Sequence, residues 1–149
     1  MVPRKGCVKS MEKTMNETTC DISDKLHPDV QYLEPVYKIY GAKTSFSGRI
    51  FTVKCYEDNS LVEEALMANG KESVLVIDAG GSMNCAMLGD KRAADAINNE
   101  WEGILVHGLI RDSVAINGME IGIRAIGVCP LKSIKKGVGD SNLVVNFSG

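Results

Sequence analysis

The chain has 149 residues, of which 44% are hydrophobic and 24% charged, with a formal net charge of −2. That size and composition suit one soluble globular domain with a single core. The weak negative charge argues against a nucleic-acid-binding face, and no apolar stretch approaches the roughly 20 residues that span a membrane.

Residues 1–16 are polar and aperiodic and read as a flexible N-terminal tail, leaving 17–149 as the domain. TTCDISDKL, from Thr18, mixes apolar and acidic positions at helical spacing, and Pro28 limits it. YLEPVYKIYG reads as a turn-rich connector. In SFSGRIFTVKCYED, Phe51, Val53 and Cys55 alternate with Thr52 and Lys54, the pattern of a strand with one buried face. Ser60 and Glu63 then form a capping-box pattern for a helix, and Gly70 stands where a left-handed C-terminal residue belongs.

SVLVID (73–78) is a continuous apolar run of the kind that forms a strand covered on both faces. AGGS follows as a tight turn. A helix is predicted to start at Asp90, as N-cap, and to run through KRAADAINNE. Trp101 is expected to pack on the core. ILVH (104–107) reads as the next buried strand, with a glycine turn after it at Gly108. DSVAING gives one or two helical turns stopped at Gly118; IGIRAIGV (121–128) is a strand closed by Pro130. LKSIKKGVGDSN reads as a basic solvated loop, and LVVNF as a final strand. Strand and helix signals alternate in the middle, which implies an α/β domain with parallel neighbours. Ligands of such sheets usually sit at the carboxyl ends of the strands.

The chemistry-bearing candidates are few. Five cysteines with no CxxC pair argue against a disulfide framework or a zinc site, and for reduced thiols in a cytoplasmic setting. There is no GxxxxGK[ST] loop and no GxGxxG after a strand. His107 reads as a satisfied core residue. Arg111-Asp112 is more informative, because the pair follows a buried strand where pockets form. Asp90 precedes Arg111 with twenty residues between them. If the two strands are neighbours, the crossover returns Asp90 to the same sheet edge. Two carboxylates with water suit a hard cation such as Mg²⁺. An adjacent arginine can grip a substrate carboxylate with two parallel hydrogen bonds. Gly89, Asp90, Lys91 and Arg92 would open a helix whose free N–H groups can hold a carboxylate, with positive charge from Lys91 and Arg92. Such a set suits chemistry that builds an enolate.

The stretches CDISD, LEPVY, SFSGRIFTVKCYEDN, VLVIDAGGS, NEWEGILVHGLIRD, INGMEIGIRAIG and KKGVGDSNLVVNFSG resemble the family of the regulator of ribonuclease E activity A and the related 4-hydroxy-4-methyl-2-oxoglutarate aldolases. The likeness runs from about Thr18 to the C-terminus. It implies a β/β/α swivelling-type sandwich with a partly parallel sheet, C-terminally short relative to the family, and a homotrimer with its active site between subunits. It implies a metal-dependent pyruvyl lyase acting on a small 2-oxo acid: cleavage of 4-hydroxy-4-methyl-2-oxoglutarate, decarboxylation of oxaloacetate, or both. Within it Asp112 would bind the divalent metal (Mg²⁺, with Mn²⁺ as the alternative) largely through water, and Asp90 would support the water shell. Arg111 would hold the substrate and steady the enolate, and the amides of Gly89 to Arg92 would hold its carboxylate. The alternative that the resemblance carries is a regulator that binds a ribonuclease or an RNA helicase, touching neither nucleic acid nor membrane. Ala115 departs from the acidic residue that many relatives have at this position.

Overall fold

The computed structural model describes residues 17–149; the expected tail, 1–16, lies outside the described residues. Contacts divide the chain into two compact units, one ending at Tyr32 and the other spanning Leu33–Gly149. The described part of the first holds α1 (Thr19–Leu26). Thr18 caps it: its hydroxyl accepts the Asp21 N–H at 3.2 Å, and the Asp21 carboxylate accepts the Thr18 N–H at 2.9 Å. This reciprocal pair satisfies two donors that a helix start otherwise leaves open.

The second unit is the expected mixed α/β fold. Its strands are β1 (Lys38–Tyr40), β2 (Arg49–Lys54), β3 (Ser73–Asp78), β4 (Ala86–Leu88), β5 (Gly103–Ile110), β6 (Ile123–Val128) and β7 (Asp140–Ser141). Its helices are α2 (Ser60–Met67), α3 (Asp90–Asn98) and α4 (Ser113–Asn117). They build one sheet in the order β1-β6-β5-β3-β2-β7, with β4 pairing beside β5. The centre is parallel: β2 with β3, β3 with β5, β5 with both β4 and β6. The two edges are antiparallel, β1 on β6 and β7 on β2.

Alternation sorts the strand residues onto two faces. Val53, Leu75, Ile77, Ile104, Val106 and Ile110 join Val62, Ala65 and Leu66 of α2 and Ala93 and Ala96 of α3 in the main core. Leu66 is fully buried there, which contributes about 1.5–3 kcal/mol. Trp101 closes this core; its ring lies against Gly70 and its indole N–H donates to the Ala68 carbonyl at 3.2 Å. A Cβ on Gly70 would sit 2.1 Å from that ring. Gly70→Ala is therefore expected to cost about 1–3 kcal/mol, read as a lower urea midpoint with unchanged slope.

Several local expectations are corrected. Gly70 is needed for close approach, not for a left-handed turn. Asn59 precedes α2 and makes no side-chain cap. The capping oxygen comes from Asp58, whose Oδ1 accepts the Ser60 N–H at 2.9 Å and the Ser60 hydroxyl at 2.6 Å. Gly89, not Asp90, is the N-cap of α3. The connector YLEPVYKIYG contains β1, an edge strand too short for a periodic signal. Thr52 is buried because its hydroxyl donates to the Leu143 carbonyl and accepts the Leu143 N–H. That pairing ties the LVVNF segment down as irregular chain; the final strand is β7 instead. No turn occurs at Gly108: β5 continues to Ile110, absorbing a register shift against β6 between Val106 and Leu109.

Asp58 also accepts the N–H groups of Lys136 and Val138 on Oδ2, at 2.9 and 3.0 Å, tying the 136–138 loop to the start of α2. Burial alone would raise its pKa, but the Ser60 hydroxyl and the N–H groups of Val138, Ser60 and Lys136 outweigh it and hold the carboxyl well below the usual range. The depressed folded value means that this stabilisation is complete above the ordinary carboxylate pKa and is lost as pH falls through the folded one. Asp58→Ala is expected to cost about 1–3 kcal/mol near neutral pH, with the gap to the parent narrowing in acid. Urea titrations at neutral pH and below pH about 3 check this; a gap constant with pH would contradict it.

Candidate active site

The site lies where β4 and β5 end side by side. Their parallel pairing puts Leu88 opposite Ile110, and the Arg111 N–H donates to the Leu88 carbonyl at 2.8 Å. Gly89-Asp90 and Arg111-Asp112 thus leave neighbouring strands at one sheet edge. β3 and β5 are also neighbours, so the crossover through β4 and α3 brings Asp90 back to Asp112 as the spacing required. The Asp90 N–H donates to Asp112 Oδ2 at 3.3 Å.

Asp112 has φ 55° and ψ 35°, the left-handed region. Asp is one of the few side chains that adopts it at modest cost. The conformation makes Asp112 the N-cap residue of α4, yet its carboxylate does not cap that helix. It turns instead toward Asp90 and Arg111, with Arg111 Nε 3.5 Å from Oδ2. Arg111 Nε is buried and, among the described residues, has no hydrogen-bond partner. Both side chains remain about one-third exposed, 36% for Arg111 and 34% for Asp112. A guanidinium with a buried, unsatisfied nitrogen and an accessible head is a ready receptor for a carboxylate or enolate oxygen.

Gly89 makes the approach possible. A Cβ there would lie 2.7 Å from Asp112 Oδ2 and 3.1 Å from Arg111 Cγ. The other predicted residues divide. Lys91 is exposed, and its N–H donates to Asp90 Oδ1 at 2.7 Å. The amides of Asp90 and Lys91 therefore already have acceptors. The Arg92 side chain is turned away to α2 and its own helix, pairing with Glu63 and, at 3.0 Å, with Asp95. Ala115 is exposed on α4 and supplies no donor atom. Among the described residues no three His, Cys, Asp or Glu side chains cluster as a metal cage.

His107 is half-buried rather than a core residue. Its Nδ1 meets the Tyr37 hydroxyl at 3.0 Å, and its ring stacks on Phe147. Sequence reasoning missed this environment, since Tyr37 is 70 residues away and Phe147 40. The steric part of Gly89 was missed too; its only signal is a glycine directly before the acid.

A mixed α/β sheet with acidic and basic groups gathered at its strand ends is a scaffold of the kind that hosts several activities. Residues 19–149 match the model of the RraA-like family, described as Aldolase/RraA, and the chain belongs to that family. It is 51% identical over 131 residues to a Dechloromonas aromatica (strain RCB) protein named "Putative 4-hydroxy-4-methyl-2-oxoglutarate aldolase", covering 87% of this chain and 80% of that one. Among solved structures it is similar to a Geobacillus kaustophilus protein described as an S-adenosylmethionine: 2-dimethylmenaquinone methyltransferase. That match has 44% identity and a TM-score of 0.87, over 89% of this chain and 83% of the other. It is also similar to the RNA-processing inhibitor RraA from Thermus thermophilis, at 38% identity and a TM-score of 0.83, over 87% and 78%.

Proposed function

We propose that the protein is a divalent-metal-dependent C–C lyase that releases pyruvate from a small 2-oxo acid. The preferred substrate is 4-hydroxy-4-methyl-2-oxoglutarate, with decarboxylation of oxaloacetate at the same site. The observation that carries the reading is the Arg111–Asp112 pair seated on the Asp90 amide, with Arg111 Nε buried and unsatisfied.

The donor set fits a hard cation that keeps most of its waters: one partly exposed carboxylate, a neighbouring acidic residue joined to it through its own backbone N–H, and, among the described residues, no closed cage. Asp112 would hold the ion, and Asp90 would order its water. Bound there, Mg²⁺ or Mn²⁺ would offset the negative charge that grows on the oxo group as the bond breaks. Arg111 grips the 2-oxo acid end of the substrate and stabilises the developing enolate. Loss of the C4 hydroxyl proton sends the C3–C4 electron pair into that enolate, which is then protonated to pyruvate; the other fragment leaves as a second pyruvate. Loss of CO₂ from oxaloacetate leaves the same enolate, so one arginine can serve both reactions. The test is pyruvate release from both substrates with Mg²⁺ and with chelator. Release should require the metal, and no release above the uncatalysed background in Mg²⁺ ends the proposal.

The same reading takes the protein to be a cytoplasmic homotrimer with the site between subunits. Val114, 90% exposed in α4 beside Asp112, supplies apolar surface that a second subunit would cover. A second reading, a protein that restrains a ribonuclease or an RNA helicase, is favoured by the likeness to the RNA-processing inhibitor RraA. It would use outer surface rather than this site, and affinity capture that recovers no RNA-decay enzyme would count against it.

A further inference from the structure

A pocket lies away from Arg111 and Asp112, and its chemistry is unlike theirs. It has a volume of about 610 Å³ and opens at the carboxyl ends of β2 and β3. Its floor is one row of ionisable residues across four strands. Lys54 pairs in register with Asp140 on β7 and with Asp78 on β3; Asp78 pairs with His107 on β5. Register partners share a face and stand about 4.8 Å apart from strand to strand. The row therefore reads carboxylate, ammonium, carboxylate, imidazole.

Lys54 and Asp140 lie exposed at one end of this row, and Asp78 is buried within it. Asp78 is only 6% exposed, and among the described residues its carboxylate accepts one hydrogen bond, from the Gly80 N–H to Oδ1 at 3.0 Å. Among the described residues Lys54 forms no ion pair with either flanking carboxylate, and Asp140 has no ion-pair partner. His107 spends Nδ1 on Tyr37, which leaves Nε2 for a ligand. Phe147, stacked on the His107 ring at 4.6 Å, walls the pocket. The volume is that of an ordinary small-molecule site.

We propose that this pocket binds a neutral polyhydroxylated molecule, a sugar or polyol. Anions are disfavoured by two carboxylates, and a cation would have to sit beside the Lys54 ammonium. A hydroxyl donates and accepts at once, so neighbouring hydroxyls can donate to Asp78 and Asp140 and accept from Lys54. The pocket is distinct from the proposed lyase site, since His107 precedes Arg111 by four residues, roughly 13 Å along a strand.

The test is titration of the full chain with D-glucose and D-ribose, followed by the NMR signals of the His107 ring, with L-lysine and pyruvate as comparison probes. The expected result is a saturable shift with the sugars at about 1–10 mM. Asp78→Asn and Lys54→Met should each weaken it at least about tenfold, while Asp112→Asn leaves it unchanged. Lys54 is exposed, so Lys54→Met remains informative should Asp78→Asn unfold. No shift with about 100 mM sugar, a shift with only lysine or pyruvate, or folded Lys54→Met binding as tightly as the parent overturns the proposal. Sugar binding that survives alongside a dead lyase assay would sink the function proposed above and leave this site standing.

Discussion

Asp112→Asn is expected to lower the rate of pyruvate release by about 10²-fold or more, with unfolding stability within about 0.5 kcal/mol of the parent. Asparagine suits this test better than alanine. Asp112 sits at φ 55°, and asparagine is the other common residue that tolerates that conformation. The amide oxygen can still accept the Asp90 N–H, so the geometry is kept and the charge alone is removed. Alanine would add backbone strain to the lost carboxylate and mix the two effects. The check is kcat over a Mg²⁺ titration: if the carboxylate holds the ion, the apparent metal requirement should rise as the rate falls. An Asp112→Asn protein with parental rate and metal dependence would remove Asp112 from the mechanism and leave Arg111 without its partner.

Gly89→Ala is the second large effect, and it changes no charge. Gly89 has φ −128° and ψ −171°, extended backbone open to any residue. The problem is space, because the new methyl would stand 2.7 Å from Asp112 Oδ2 and 3.1 Å from Arg111 Cγ. Real Cβ atoms do not approach that closely, so the pair must move. A displacement near 1 Å in a positioned group costs about 10²-fold in rate. The expected result is such a loss in kcat/KM with a stability penalty of about 1–3 kcal/mol. Gly89→Ala with full activity would show that the Asp112 rotamer seen here is not the one that works.

The fold was readable wherever apolar residues run unbroken or repeat with a period. SVLVID and the α2 and α3 segments are regular enough to announce themselves, and Trp101 is large enough that only a core can take it. Legibility failed where length or a distant partner decides. β1 and β4 are three residues each, too short to show a period. Thr52 looks solvent-facing until Leu143, 91 residues later, covers it. Gly108 looks like a turn because a glycine in a strand is ambiguous; the bulge that it sits in is a property of β5 and β6 together. The candidate site shows the same division. Asp90, Arg111 and Asp112 could be gathered from spacing plus one assumption about neighbouring strands. The left-handed backbone of Asp112, the outward turn of Arg92 and the steric duty of Gly89 depend on atoms that spacing does not encode.

The Arg111 N–H bond to the Leu88 carbonyl has a consequence for divergence. The two strand ends are fastened by main-chain atoms, which every residue type except proline can supply. The charged heads, each about one-third open to water, add little to stability, as partly exposed ion pairs generally do. Substitution at 111 or 112 can therefore erase or rewrite the proposed chemistry while the strands stay joined. Scaffold and reactivity are separable inheritances, which lets one architecture descend into proteins as differently described as an aldolase, a methyltransferase and an inhibitor of RNA processing.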